Sequence, residues 1–498
     1  MFKLDAKKII FFLSAFLVIE ILSFLVFSFP VLNQTIFILL IMAALGLTIY
    51  KLEYGVLLVL TELLIGSLGH LFVGNFVAVQ VPIRMALWAI VILVFTIKLI
   101  IQLFKQKQFA PYWLSLKKFS GWKPFLLLFF FIIVSLINAY WRGHSLNLIF
   151  SDFNAWLYFF FLVPLIIVYN ESNSEGYQRL QNLFFAAAIW LSLKTLFLLF
   201  VFTHNISFAP DLYLWLRRTL VGEMTPTKTG WPRIFIQSQA YSAIAFFTIF
   251  WFKQSSFKLK EFWRSSNILA LLAAGGFLSA ILISFSRSFW VALFSALAIS
   301  LIALWYLASF KKMLTAGVWL ILSGLLSFAF IYLVVAFPYI HLPSTDFSAN
   351  LLDRVSNGNE AALASRWSLL PVLFKEIKQE PLLGQGYGAT VTYFSSDPRI
   401  LQNNPSGEYT TYAFEWGYLD LWLKLGILGL AAYLYLIIKL VIDAWRRGRQ
   451  ENKALFFVLA TGIIFLAVTH IFTPYLNHPL GIGFVILSSC LIWSNRVY

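Results

Sequence analysis

The chain is nearly without cysteine. Cys490 stands alone among 498 residues, so neither an intrachain disulfide nor a cysteine-based zinc site can form, and the cellular compartment has to be read from topology. Charge is also scarce: 12% of residues are charged and 60% hydrophobic, whereas a soluble domain carries about a quarter charged residues. That shortage excludes an ordinary soluble fold. Sustained alternation of apolar and polar residues is missing, which excludes a β-barrel. Internal repeats and low-complexity segments are missing as well. The first apolar run follows Lys3, Lys7 and Lys8 but is too long for a signal peptide and has no small-residue cleavage site, so it reads as an uncleaved span.

What the sequence has in abundance is long apolar runs. Ile9 to Phe29 and Tyr54 to Val73 are each about 20 residues long, enough for a helix to cross a hydrocarbon core of roughly 30 Å. Irregular backbone finds no polar partners in lipid. The expected fold is therefore all-α, a polytopic transmembrane helical bundle forming one integral membrane domain over residues 1–498. About 12 to 14 spans are expected, with starts near residues 9, 35, 54, 83, 124, 153, 180, 237, 266, 288, 313, 413, 454 and 480.

Net charge is +16. The basic residues cluster in short connections between spans, so orientation explains them and no nucleic-acid partner is expected. With the N-terminus in the cytoplasm, Lys105, Lys107, Lys117, Lys118 and Lys123, then Lys253, Lys258, Lys260 and Arg264, then Lys311 and Lys312, then Arg446, Arg447, Arg449 and Lys453 all fall on the cytoplasmic side. That is the positive-inside pattern. Both termini are then cytoplasmic, in a multi-pass cell-membrane protein.

The outer side receives two long segments, 204–236 and 338–412, too long for simple turns. Function is expected there. Within the second, Ser365 to Gln379 reads as a short amphipathic helix with Trp367, Leu370, Phe374 and Ile377 on one face. Ser365 is its expected N-cap, Pro371 bends it and Pro381 follows its end.

An outward-facing set of charged residues follows from this topology: Arg233, Arg287, Arg354, Arg366 and Glu415. The planar, permanently charged fork of arginine suits phosphate oxygens better than the ammonium of lysine does, so several arginines converging would clamp a diphosphate. Arg366, in the first turn of the expected helix, would oppose the helix dipole unless an anion bound there. Ser286 and Ser288 flank Arg287 with further hydrogen-bonding groups. Glu415 stands where loop becomes span, and partial desolvation there would raise its pKa toward that of a general base; the bland alternative is a structural partner for an arginine. Tyr418 lies beside it, and His478 is a candidate accessory donor. Asp420 and Lys424 have the i, i+4 spacing of a structural ion pair. Glu20, Glu62 and Lys194 lie within spans, where an ion pair between Lys194 and one glutamate is the simplest expectation and a proton relay the functional one. GQGYG at Gly384 to Gly388 follows no strand, so it reads as a loop needing positive backbone angles and not as a nucleotide site.

Together these pieces resemble the bacterial O-antigen ligase and O-antigen polymerase superfamily of polytopic membrane glycosyltransferases. The resemblance rests on the SRS motif opening a span at Ser286 to Ser288, the large late outer loop, and the succession of SRW, PLLGQGYG and EWGYLDLWLKLGILGL at Glu415 to Leu430. It implies transfer of a glycan from a polyprenyl-diphosphate carrier to a sugar hydroxyl on a glycan or glycolipid acceptor, at the outer face of the membrane. Inversion at the anomeric carbon, with no cofactor and no metal, is also implied. The family's diphosphate-holding arginines map onto Arg233 and Arg287, and its loop arginines onto Arg354 and Arg366. Ligases of this family often carry a histidine where this chain has Glu415, which favours a polymerase. A ligase is the nearest alternative. A lipid-linked glycan transporter and an assembly scaffold are alternatives of other classes.

Overall fold

Of the runs named above, Ile9 to Phe29 is helical as far as Val26 and Tyr54 to Val73 only as far as Ile65; a backbone that leaves water must satisfy its own polar groups. The computed structural model describes residues 4–76, 79–106, 115–171, 174–227, 230–256, 265–338 and 361–494, and 78% of it is helical. In chain order the helices are α1 (Ala6–Val26), α2 (Pro30–Tyr50), α3 (Leu52–Ile65), α4 (Ile83–Gln106), α5 (Trp122–Trp141), α6 (Leu146–Phe153), α7 (Leu162–Glu171), α8 (Ser174–Thr203) and α9 (Ala209–Arg218). There follow α10 (Ala240–Ser256), α11 (Ser265–Ile283), α12 (Arg287–Leu307), α13 (Phe310–Ala336), α14 (Ala361–Gln379), α15 (Pro398–Asn403), α16 (Gly417–Glu451), α17 (Ala454–Phe472) and α18 (Pro479–Trp493). A 3-10 stretch, Asn154–Phe161, joins α6 to α7. Three antiparallel hairpins lie in the connections: β1–β2 (Val73–Phe76, Val79–Pro82), β3–β4 (Glu223–Pro226, Pro232–Phe235) and β5–β6 (Val391–Phe394, Glu408–Thr411).

Among the described residues eleven segments are long and apolar enough to cross a membrane, with α6 and α7 counted as one. Three further apolar runs of the sequence-based range form shorter helices, α3, α10 and α18, of 14, 17 and 15 described residues. These lie inside the bundle, where α10 buries Phe246, Phe247 and Phe250 completely. Wrapped by protein, they are not held to the length that lipid imposes.

Hydrogen bonds between connections sort them into two ends of the bundle. At one end Gln237 N–H donates to Ser67 Oγ at 3.2 Å, Tyr475 O–H to the Gln237 carbonyl at 2.7 Å and Arg233 Nε to the Ser284 carbonyl at 3.1 Å. At the other, Ser120 N–H donates to the Trp493 carbonyl at 3.3 Å and Lys253 Nζ to Asn267 Oδ1 at 2.7 Å.

Two of the charges expected inside the spans pair with each other. Lys194 Nζ lies 2.6 Å from Glu20 Oε1, which also accepts from Trp190 Nε1 at 2.9 Å. An unpaired charge at that depth costs at least about 2.5 kcal/mol, and the pair removes the need for a relay.

The large loop is docked by a break in α16. Gly426 leaves helical geometry there (φ 72°, ψ 175°), which frees carbonyls before it and N–H groups after it. Gln385 N–H donates to the Leu423 carbonyl at 2.6 Å and Gly386 N–H to the Lys424 carbonyl at 3.1 Å, while Ile427 N–H donates to the Pro381 carbonyl at 2.9 Å. Gly384, Gly386 and Gly388 take positive φ of 73°, 91° and 78°, as the GQGYG reading expects. At Gly386 a Cβ would lie 2.5 Å from the Ala139 backbone nitrogen, so the loop passes against α5 only because that atom is absent.

Candidate active site at one end of the bundle

Arg287 is the first residue of α12, half-buried, after a three-residue turn of Ser284, Phe285 and Ser286. Phe285 turns the chain with φ of 47° and a fully buried ring. A left-handed conformation in a bulky residue costs about 1 to 3 kcal/mol and concentrates at functional sites. The turn is braced from within: Ser284 Oγ donates to the Ile281 carbonyl at 2.6 Å and accepts from Ser286 N–H at 3.2 Å. Ser286 Oγ and Ser288 Oγ share a hydrogen bond of 2.9 Å, and Thr473 Oγ1 donates to Ser288 Oγ at 3.1 Å. Both serine side chains are buried and bonded within the protein, so they hold the turn from inside.

Arg233 reaches the same turn from β4. Its Nε donates to the Ser284 carbonyl and its guanidinium lies over the Phe235 ring at 5.3 Å. Phe235 packs on Phe289 at 5.6 Å and Phe289 on Tyr475 at 5.7 Å, so β4, the start of α12 and the 473–478 connection form one assembly. The structure thus brings Arg233 and Arg287 to a single turn. The dipole argument made for Arg366 applies instead to Arg287, a cation at a helix N-terminus whose cost an anion would reverse.

For Arg366 the expected position fails. Its helix begins at Ala361 and not at Ser365, because the run AALA continues the helix backward with strong helix formers. Arg366 therefore sits in the second turn, and Ser365 Oγ bonds Ser395 Oγ at 2.6 Å in place of capping. Arg366 Nε pairs with Glu415 Oε2, and the Arg366 carbonyl accepts from Trp416 Nε1 at 3.0 Å.

The partial desolvation expected for Glu415 also fails, since its side chain is 51% exposed. A chain of contacts links its neighbour to the turn: Trp416 packs on Phe472 at 5.8 Å, and Phe472 precedes the Thr473 that binds Ser288. Tyr418 O–H donates to the Ala467 carbonyl at 2.8 Å with its ring on His470 at 4.7 Å, which makes it a strut between α16 and α17. Arg354 lies outside the described residues.

His478 caps α18, its Nδ1 accepting from Leu480 N–H at 3.4 Å. That bond places the proton of the neutral ring on Nε2. Burial, with Arg84 nearby, pushes its pKa down from 6.5 to about 3, so His478 is a neutral donor and not an acid–base group at physiological pH. Between the two values the unfolded chain binds a proton that the folded one does not, so stability falls as pH drops through that window. Replacing His478 by glutamine should flatten the decline in melting temperature between pH 6 and 4, read by thermal denaturation in detergent.

Two buried groups escape the sequence reading. Glu62 pairs with Arg84 through Nε at 2.6 Å and Nη2 at 3.2 Å. Lys424 pairs with Asp420 as its spacing predicts, and also with Asp152 at 2.6 Å. Each is a charge in an apolar stretch, which is the signal that a partner must exist; the spacing rules do not say which partner. Among the described residues no cluster of three or more histidine, cysteine, aspartate and glutamate residues is placed to hold a metal ion.

No curated protein and no solved structure matches the chain. Residues 269–434 match a family model described as O-antigen ligase, a stretch running from α11 through the turn at Arg287 and the large loop into the middle of α16. Over that third of the chain the protein is similar to the O-antigen ligase family.

Proposed function

We propose that the protein transfers a glycan from a polyprenyl diphosphate to a sugar hydroxyl at the outer face of a bacterial cell membrane, extending a surface polysaccharide. The observation that carries this is the Arg233 to Ser284 hydrogen bond, which sets two permanent cations at one strained turn. The Glu415 carboxylate takes the proton of the acceptor hydroxyl, and that oxygen attacks the anomeric carbon from the face opposite the diphosphate. The bond from sugar to phosphate breaks, and the negative charge that develops on the leaving diphosphate meets Arg233 and Arg287. Fixed cations at the site of developing charge are the preorganisation from which most rate enhancement comes. The ion pair with Arg366 holds the Glu415 carboxylate in place. The basic connections at the far end of the bundle support the reading that this end faces outward.

A second feature supports a lipid-linked donor. A groove of about 610 Å3 lies between α8 and α13, lined by Leu193, Leu196, Phe197 and Phe200 on one side and Tyr332 and Phe337 on the other. Both helices pack on α11, the helix that ends at Ile283, just before the turn that begins with Ser284. A polyprenyl chain in this groove would lie along α8, which also packs on β4, the strand that carries Arg233.

Purified protein given only polyprenyl-diphosphate oligosaccharide should produce a ladder of longer products, because a polymerase needs no other acceptor. The family model's description favours one other outcome, a single product that forms only when an acceptor lipid is added, which identifies a ligase. Movement of the lipid across vesicles with no extension would overturn both. Glu415→Gln should lower kcat by about 10²- to 10⁴-fold with donor KM little changed, measured on the same substrate.

A further inference from the structure

Lys424 carries more contacts than an ion pair within one helix requires. Its side chain is 3% exposed, and those of Asp420 and Asp152 are 2% and 10% exposed. An ammonium has three hydrogens, and three oxygens surround this one: Asp420 Oδ1 at 2.6 Å, Asp152 Oδ1 at 2.6 Å and the Tyr412 carbonyl at 2.9 Å. The remaining carboxylate oxygens are also engaged. Asp152 Oδ2 accepts from Gly388 N–H at 2.8 Å, and Asp420 Oδ2 accepts from Asn477 Nδ2 at 2.6 Å. The Lys424 ammonium also lies 5.4 Å from the centre of the Phe414 ring.

Five segments therefore meet at one charge: α6, α16, the GQGYG loop, the chain just before Glu415 and the connection just before His478. As a source of stability the cluster is a poor choice. Two carboxylates on one ammonium leave an excess buried charge, and apolar residues of the same shape often serve stability as well or better. Orientation is what the cluster adds. Tyr412 and Phe414 fix the three residues leading into Glu415, Gly388 fixes the far side of the β5–β6 hairpin, and Asn477 fixes the connection that braces the Arg287 turn through Thr473.

We propose that Lys424, with Asp152 and Asp420, is the positioning element of the transfer reaction, holding Glu415 in register with the Arg233–Arg287 turn. This rests on the reading of Glu415 as base. The step it affects is proton removal by Glu415, and the diphosphate grip of the arginines does not depend on it.

The test uses the full chain in lipid nanodiscs and two readouts. In the triple variant Asp152→Asn, Asp420→Asn and Lys424→Met, which holds the shape and removes every buried charge, the melting temperature should stay within a few degrees of the parent. Amide exchange at Gly388 and at Tyr412 to Trp416 should rise at least tenfold, and kcat should fall at least tenfold with donor KM within threefold. Asp152→Asn alone keeps one acceptor oxygen where two were used, so exchange should rise at Gly388 while Tyr412 to Trp416 stay protected. This second variant decides the matter if the triple variant does not insert. Unchanged exchange at Gly388 in the single variant, or equal loss of kcat and donor affinity in the triple, would overturn the proposal. If the parent transfers no glycan, the base assignment falls, and the exchange results still report whether the cluster sets the loop.

Discussion

Arg287→Ala should cut glycan transfer by about 10²- to 10³-fold, the usual loss when one preorganised donor is removed from developing negative charge. Insertion should be unchanged, because Arg287 stands half-buried at a helix start and not in the middle of a span. Arg287→Lys should restore only part of the rate, since an ammonium supplies charge without the bidentate fork. Release of polyprenyl diphosphate, followed by mass spectrometry on purified protein, gives the number directly. Parental yield and product length in Arg287→Ala would remove the turn from the reaction.

Much of this arrangement is legible in the sequence where the cause is local. Apolar runs give the helices, the basic connections give two ends, and the i, i+4 spacing of Asp420 and Lys424 gives their pair. The three glycines of GQGYG announce the positive φ they adopt. What is not legible is set by tertiary contact. Asp152 is 272 residues from Lys424, and no periodicity relates them. Glu62 reads as a candidate for Lys194, but the bundle gives Lys194 to Glu20 and Glu62 to Arg84. The exposure of Glu415 depends on where α14 lies, and that helix starts earlier than its serine suggests because alanines precede it. Helix length is a related case: hydropathy measures how apolar a run is, and α3, α10 and α18 are short where protein surrounds them.

The pair at Glu62 yields the largest stability effect. Arg84 reaches Glu62 with two nitrogens, and its Nη2 also donates to the Ser67 carbonyl at 2.7 Å. Their side chains are 7% and 6% exposed. Arg84→Met should therefore strand a buried carboxylate and cost roughly 3 to 5 kcal/mol, whereas replacing both partners by apolar residues is close to neutral. Thermal denaturation of Arg84→Met, Glu62→Leu and the double variant forms a cycle whose coupling isolates the pair. A coupling near zero would show that the charges do not depend on each other. The double variant then asks a further question about function. Ser67 loses the arginine at its carbonyl but still accepts from Gln237 N–H, and Gln237 in turn accepts from Tyr475, in the connection that supplies Thr473 to the Arg287 turn. If stability returns in the double variant while transfer stays low, Arg84 serves the geometry of that connection; if both return together, its service is to the fold alone.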